Sequence, residues 1–317
     1  MLMMGCAEIG LNSNDSGKKE AASPQEEAPN KNNKDKDKGS KTDSNEDTDS
    51  REDTDSSSYD NKEATSCPSD GSGGPTGKGK KFSHSVDTQV WLPKNYDKGK
   101  AYPLVFSFHG MASNRGYQMT NYPFHNHVDE KDFILAVTNG GSYQFEWAYT
   151  TNNATKELER LLEKLFDSYN IDKQRVYMFG HSAGGFHAFN FACNYDYIAG
   201  ASADGGAWFG GTANQPCKNK ELSLVVGFGA LDHARSQIDN MWDFMKKDRS
   251  CGVDGKKGER TIKDRKVTFE EHDNCGGEGR IAYLWLDKAA DHFSNKSHLL
   301  GPLLDTWFEK SKRSSCD

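Results

Sequence analysis

The segment from Arg175 to Gly185 constrains the fold most, because an apolar strand pattern runs directly into Gly-His-Ser-Ala-Gly. A G-x-S-x-G sequence places its serine on a sharp turn between a strand and a helix, where the hydroxyl projects into solvent. Gly180 and Gly184 let the strand and the helix approach closely. Such a turn also occurs as a plain connection in α/β proteins, but the apolar residues 186–192 that follow favour a nucleophilic Ser182.

Strand and helix patterns alternate along much of the chain. Residues 84–92 alternate like a half-buried edge strand, and residues 153–169 carry apolar side chains at the spacing of an amphipathic helix. Apolar runs typical of strands covered on both faces lie at 103–108, 133–137, 198–203, 222–227 and 281–286. This order predicts an α/β fold with a mainly parallel sheet flanked by helices, whose ligand site lies at the carboxyl ends of the strands.

The N-terminal region has a different composition. The segment from Asn12 to about Lys81 holds almost no large apolar side chains, and the mean hydropathy of the chain is −0.87. Such a segment cannot bury enough apolar surface to offset its ordering entropy. We therefore expect a disordered, charged, serine-rich tether over residues 12–66 and one folded domain over residues 67–317. Mixed charge in the tether argues against a nucleic-acid partner, and no run approaches eighteen apolar residues.

Residues 1–11 resemble the end of a bacterial lipoprotein signal, in which the cysteine after a small residue, here Cys6, is lipidated. Only five residues precede Cys6, which is fewer than a full signal needs, so we expect the true start to lie upstream. A lipid on Cys6 would be the only membrane contact. An ordinary N-terminus with a chance Gly-Cys pair is the alternative.

The cysteine count indicates export. Setting Cys6 aside leaves six cysteines, the even number that a disulfide-bonded exported domain would have. Fifteen pairings are possible, and short loops would result from Cys193 with Cys217 and Cys251 with Cys275, leaving Cys67 with Cys316. We expect an extracytoplasmic protein, secreted or lipid-anchored at the bacterial surface or in the periplasm. A cytosolic protein with six free thiols is the alternative, and no spacing predicts a metal site.

A nucleophilic serine needs a base and an acid that orients it, and in this class of fold the chain order is serine, acid, histidine. Asp232 follows the predicted strand at 222–227, so its carboxylate is the expected acid. Asp204 ends the preceding predicted strand and is the rival acid, or else a turn-forming residue before two glycines.

His292 is the expected base because it follows the last predicted strand and precedes the C-terminal helix. His233 should project away from Asp232, and His298 should lie within the last helix, so both are weaker candidates. A plain surface histidine is the alternative for His292. Two backbone amides should stabilise the negative charge of the reaction, those of Ala183 and of Met111, with Gly110 permitting the close approach.

From about Cys67 onward the chain resembles the secreted esterases grouped with polyhydroxybutyrate depolymerases and feruloyl or acetylxylan esterases. The segments that carry the resemblance are Leu92–Asp97, Tyr102–Phe106 with His109-Gly110, and Ile171-Asp172 with Arg175–Tyr177 and Gly180–Gly185. The resemblance implies an α/β-hydrolase fold without metal or organic cofactor. It also implies hydrolysis of esters on plant polysaccharide side groups or of polyhydroxyalkanoate-type polyesters, outside the cytoplasm. We expect a monomer.

The histidine segment departs from this pattern. The family often has glycine and tryptophan around the histidine, whereas this chain has Asp291-His292-Phe293-Ser294, so we expect a different acyl pocket. Candidate pocket residues are His109, Tyr143, Trp147, His181 and Trp208. Two other functions remain open at this point: a non-catalytic glycan- or polymer-binding lipoprotein on the same fold, and a cytoplasmic small-molecule thioesterase.

Overall fold

The computed structural model of this protein describes residues 66–139, 152–206, 217–276 and 279–316, which belong to one compact unit, Asn61–Asp317. Several predictions fall outside these ranges. They are the signal over residues 1–11 with its lipidation site Cys6, all but the last residue of the tether, and the candidate pocket residues Tyr143, Trp147 and Trp208.

The described strands form one ten-stranded sheet in the order β1-β2-β4-β3-β5-β6-β7-β10-β9-β8. The strands are β1 (Lys80–Phe82), β2 (Thr88–Trp91), β3 (Tyr102–Phe108), β4 (Ile134–Thr138), β5 (Ile171–His181), β6 (Gly200–Asp204), β7 (Ser223–Gly229), β8 (Lys256–Ile262), β9 (Arg265–Cys275) and β10 (Arg280–Asp287). Neighbours from β4 to β10 in this order are parallel, and both edges are antiparallel. The predicted α/β architecture with a mainly parallel sheet is confirmed.

Helices cover both faces of this sheet. The described helices are α1 (Arg115–Asn121), α2 (Val128–Lys131), α3 (Asn152–Ser168), α4 (Ala183–Asn194), α5 (Arg235–Asp248) and α6 (Leu300–Lys310). Apolar side chains of α3, α4 and α5 share one core cluster with one face of the sheet, and those of α6 pack on the other. Along β3, Leu104 and Phe106 join the first cluster and Val105 joins the second. This two-sided burial explains the continuous apolar runs, and no described helix is long and apolar enough to cross a bilayer.

The sequence patterns missed two parts of the sheet, the hairpin of β8 and β9 and the short edge strand β1. No strand was predicted between residues 227 and 281, where β8 and β9 form an antiparallel hairpin beside β10. β8 is largely exposed and polar, so it carries neither an apolar run nor a clear alternation. At the other edge, the strand predicted from residue 84 begins only at Thr88, because the Val86 amide donates a hydrogen bond to Nδ1 of His84 in a local turn.

Three disulfides connect the described cysteines. Cys193 pairs with Cys217, Cys251 with Cys275, and Cys67 with Cys316. The first two pairs close the short loops that were expected from the sequence. The third bond joins residues 249 positions apart and so ties the two ends of the described domain together. A link across such a long loop restricts the unfolded chain more than a short one does.

Candidate active site

Ser182 lies at the predicted turn between a strand and a helix. β5 ends at His181, α4 begins at Ala183, and Ser182 has φ 51° and ψ −120°. A non-glycine residue in such a sparsely populated conformation costs about 1–3 kcal/mol and persists only where its surroundings fix it. Here the Ser182 amide donates to the Asp204 carbonyl at 2.8 Å, and the Ser182 carbonyl accepts from the Gly185 amide at 2.9 Å.

The two elbow glycines are required by close backbone contacts. A Cβ at Gly180 would overlap the carbonyl group of Gly184, and a Cβ at Gly184 would lie 2.5 Å from the carbonyl oxygen of His109. Strand β5, helix α4 and the end of β3 therefore meet at a separation that no side chain permits. This geometry explains why glycines stand two positions either side of Ser182.

The chain after β3 passes directly beside the nucleophile elbow. A Cβ at Gly110 would lie 3.2 Å from the Cβ of Ser182. Met111 follows Gly110, and Ala183 begins α4, where the first amides have no intrahelical acceptor and carry the positive end of the helix dipole. The two segments that contain the predicted oxyanion amides thus flank Ser182.

Asp232 and His292 form a buried pair. Nδ1 of His292 lies 3.0 Å from one carboxylate oxygen of Asp232 and 3.1 Å from the other, and the Ala234 amide donates to Asp232 at 2.8 Å. Burial by itself would raise the pKa of Asp232, but the hydrogen bonds from His292 and Ala234 lower it overall. Asp232 is therefore a charged acceptor that holds the proton of His292 on Nδ1, which leaves Nε2 free to accept a proton.

Two glycines after β6 bring this pair to the serine. A Cβ at Gly205 would lie 2.5 Å from Nδ1 of His292 and 2.6 Å from Oδ2 of Asp232. A Cβ at Gly206 would lie 2.8 Å from the carbonyl oxygen of Ser182. Gly205 lies against the Asp232–His292 pair, and the next residue, Gly206, lies against Ser182. The pair therefore lies next to the elbow. The sequence predicts only a turn at these two glycines.

Asp204 does not contact His292 through its side chain. Its Oδ2 accepts hydrogen bonds from Nζ of Lys296, at 2.8 Å, and from the Tyr122 hydroxyl. Burial raises the pKa of Asp204 to about 6, while Lys296 and Tyr122 act in the opposite direction. Of the two candidate acids, the structure therefore places only Asp232 against the histidine, and Asp204 is a buried ion-pair partner.

The two candidate pocket residues that the structure describes are both buried. His109 has no exposed surface and His181 only 2%. Nε2 of His181 donates to the carbonyl oxygen of His292 at 2.9 Å, and burial lowers the pKa of His181 to about 3, so its ring is neutral. These histidines therefore present almost no surface to a substrate.

Two weaker candidates lie elsewhere than predicted. His233 was expected to project away from Asp232, and this was wrong: its Nδ1 lies 3.9 Å from the carboxylate and its ring centre 4.4 Å from that of His292. Residues 232–235 form a turn, where neighbouring side chains do not alternate as they do in a strand. His298 lies in a 3-10 turn just before α6, 3.1 Å from Asp287. Three side chains here have atoms that could bind a metal, and these atoms lie within 4.8 Å of one another: Asp232, His233 and His292. The Asp232–His292 hydrogen bond and the turn at residues 232–235 account for this proximity.

Part of the chain is similar to known esterases. Residues 79–198 match a family model named Esterase. The chain is 30% identical over 111 residues to a bifunctional acetylxylan esterase/xylanase of Neocallimastix patriciarum, covering 34% of this chain and 16% of that protein. It is 27% identical over 155 residues to feruloyl esterase D of Neurospora crassa, covering 41% of this chain and 51% of that protein.

A solved structure extends the likeness over most of the domain. The chain is similar to a mutant feruloyl esterase module from Clostridium thermocellum complexed with sinapinate, with a TM-score of 0.51 and 14% identity over 79% of this chain and 93% of that one. This likeness shows an α/β-hydrolase fold. The chain spans about half or less of the length of the curated relatives it matches.

The elbow contacts predict that Gly180→Ala is not tolerated. The new methyl group would overlap backbone atoms, which cannot move as a flexible side chain can, so we expect a loss of about 3 kcal/mol in the free energy of unfolding. Gly73→Ala is the matched control, because a Cβ there meets no atom within 4 Å and should change stability by about 0.5 kcal/mol or less. Urea unfolding measures both, and equal stability of the two variants would contradict the close packing at the elbow.

Proposed function

We propose that this protein is a serine esterase that hydrolyses carboxylic esters through an acyl-enzyme intermediate. The observation that carries the proposal is the hydrogen-bonded Asp232–His292 pair beside the strained turn at Ser182. Ser182 is the nucleophile, His292 the general base, and Asp232 the acid that orients the imidazole. These are the roles that the order of the three residues along the chain predicts.

The reaction proceeds in two halves. Oγ of Ser182 attacks the ester carbonyl carbon while Nε2 of His292 takes the hydroxyl proton. The bond from carbon to the alcohol oxygen then breaks, and His292 returns the proton to the departing alcohol. In the second half, water attacks the acyl carbon and gives its proton to His292, and the acid leaves as Ser182 is reprotonated. The charge of Asp232 stabilises the imidazolium in both halves.

The amides of Ala183 and Met111 stabilise the oxyanion in this proposal. Negative charge develops on the carbonyl oxygen as each tetrahedral intermediate forms, and fixed backbone amides stabilise it without reorganising. The location of Gly110 against Ser182, with Ala183 at the start of α4, supports this assignment. Apart from the attacking water, the chemistry uses only side chains and backbone of this chain, so we propose no cofactor.

We propose feruloyl or acetyl side groups of plant polysaccharide as the substrate class, with polyhydroxyalkanoate-type polyester as the second choice. The names of the two curated relatives support the first. A surface feature favours an ester with an apolar acyl group. Among the described residues, three of the four exposed large apolar side chains lie at or next to proposed site residues, namely Met111, Leu231 and Phe293. We call these three the apolar rim.

We also propose an extracytoplasmic location. Three disulfides support this, because such bonds form and persist in oxidising compartments. In the same proposal Cys6 carries a lipid, residues 12–66 tether it to the esterase domain, and that domain, a monomer, spans residues 67–317.

Ser182→Ala should abolish ester hydrolysis, lowering kcat by about 10⁴–10⁶, because it removes the atom that bonds to the acyl group.

Asp232→Asn should lower kcat by up to about 10⁴, because it favours the wrong imidazole tautomer. Hydrolysis of feruloyl, acetyl and 3-hydroxybutyrate esters, with a fluorophosphonate probe for the nucleophile, measures both effects. A wild-type protein that neither hydrolyses these esters nor reacts with the probe would favour the binding-module alternative.

Phe293→Ser should reduce kcat/KM on methyl ferulate by about 5- to 30-fold, because a buried phenyl contact with the acyl group is worth roughly 1–2 kcal/mol. The same change should alter kcat/KM on an acetyl ester by less than about two-fold, since the acetyl group is too small to reach the rim. Val253→Ser is the matched control, because Val253 is 94% exposed but lies between α5 and β8. Equal losses on both esters would remove the rim from acyl recognition.

Metabolic labelling with a fatty acid, followed by cell fractionation of the complete gene product, tests the proposed location. We expect label in a membrane fraction and its loss in Cys6→Ala, with esterase activity unchanged because Cys6 lies outside the domain that hydrolyses the ester. A protein in the cytosolic fraction with six titratable thiols would contradict both the anchor and the export.

A further inference from the structure

Asp204 and Lys296 form an ion pair that is almost completely buried. The side chains are 0% and 1% exposed, and Nζ of Lys296 lies 2.8 Å from Oδ2 of Asp204. Each buried charge carries a desolvation penalty of several kcal/mol, which the attraction within the pair offsets only with good geometry and further hydrogen bonds. The Tyr122 hydroxyl supplies one such bond to the same carboxylate oxygen. The proposed ester hydrolysis uses neither charge directly.

Lys296 also reaches the backbone of the proposed base. Its Nζ donates to the carbonyl oxygen of His292 at 3.3 Å, and Nε2 of His181 donates to the same oxygen at 2.9 Å. The main chain of His292 is thus held by two buried donors from different parts of the fold. One of them, His181, is the residue that precedes Ser182.

Asp204 connects the same network to the nucleophile. Its backbone carbonyl accepts the Ser182 amide at 2.8 Å, while its side chain anchors Lys296. One residue at the end of β6 therefore binds the serine through its main chain and, through Lys296, the histidine. The path from Ser182 to the carbonyl of His292 runs through hydrogen bonds of Asp204 and Lys296, which are both buried.

We propose that the Asp204–Lys296 pair, together with His181, positions the His292 main chain relative to Ser182 and so sets the distance over which the proton is transferred. This inference rests on the proposed esterase function. Asp204, Lys296 and His181 are positioning residues, because none of them is assigned contact with substrate. Since small errors in the placement of reacting groups cost large factors in rate, loss of the anchor should lower kcat and leave KM nearly unchanged.

The test separates positioning from charge balance. Lys296→Met and Asp204→Asn each leave one buried group without its charged partner, so both single variants should lose stability. The double variant Asp204→Asn/Lys296→Met removes both charges and should recover most of the lost Tm. If the pair positions His292, the double variant should still show kcat lowered by about 10²-fold, with KM within about two-fold of wild type. Recovery of both Tm and kcat would overturn the inference.

Asp172→Asn is the matched control. Asp172 is also a buried carboxylate, and it pairs with Arg175 at 2.6 Å near the amino end of β5, away from the elbow. The Asp172→Asn substitution should lower Tm while leaving kcat unchanged. If the double variant is only partly folded, Lys296→Met is compared with wild type by its rate of fluorophosphonate labelling. Circular dichroism gives the folded fraction, and each rate is divided by that fraction. Equal rates would overturn the inference, whereas an inactive wild-type protein would instead refute the proposed function.

Discussion

The hydrogen bond from the Ser182 amide to the carbonyl oxygen of Asp204 is the contact on which the site depends. It continues the parallel pairing of β5 with β6 one residue beyond the end of β5, and it fixes the amide of a residue whose φ is positive. The next residue begins α4, so the chain must reverse its path within one residue. This bond fixes the peptide plane before Ser182, and the Gly185 amide, which donates to the Ser182 carbonyl at 2.9 Å, fixes the plane after it.

This sharp turn explains the glycines around the site. The Gly180 and Gly184 contacts bring β5, α4 and β3 together, and the Gly205 and Gly206 contacts bring the Asp232–His292 pair and the serine together. The site is therefore assembled by backbones at separations that exclude a Cβ. Because backbones are stiffer than side chains, this arrangement fixes the reacting groups without needing a ligand to order them.

Much of this arrangement could be predicted from sequence, because it depends on local pattern. The elbow has its own signature, buried parallel strands have continuous apolar runs, and the order of serine, acid and histidine narrowed the search to a few residues. The β8–β9 hairpin was missed because its residues are polar and partly exposed, so pairing with β10 rather than apolar periodicity defines it. Lys296 carried no signal at all, because a lone lysine near the C-terminus is usually a solvated surface residue.

The roles of the two carboxylates at the site also could not be assigned from the sequence alone. In sequence, Asp204 and Asp232 are each an acid after a predicted strand, and chain order alone does not separate them. In the fold, burial raises the pKa of Asp204, and the charge of Asp232 adds to that increase, whereas hydrogen bonds from His292 and Ala234 lower the pKa of Asp232. Neighbouring carboxyl groups whose environments move their pKa values in opposite directions can take different roles. The carboxylate of Asp204 pairs with the ammonium group of Lys296, whereas the carboxylate of Asp232 pairs with His292. Asp232 is therefore the acid that can orient the imidazole.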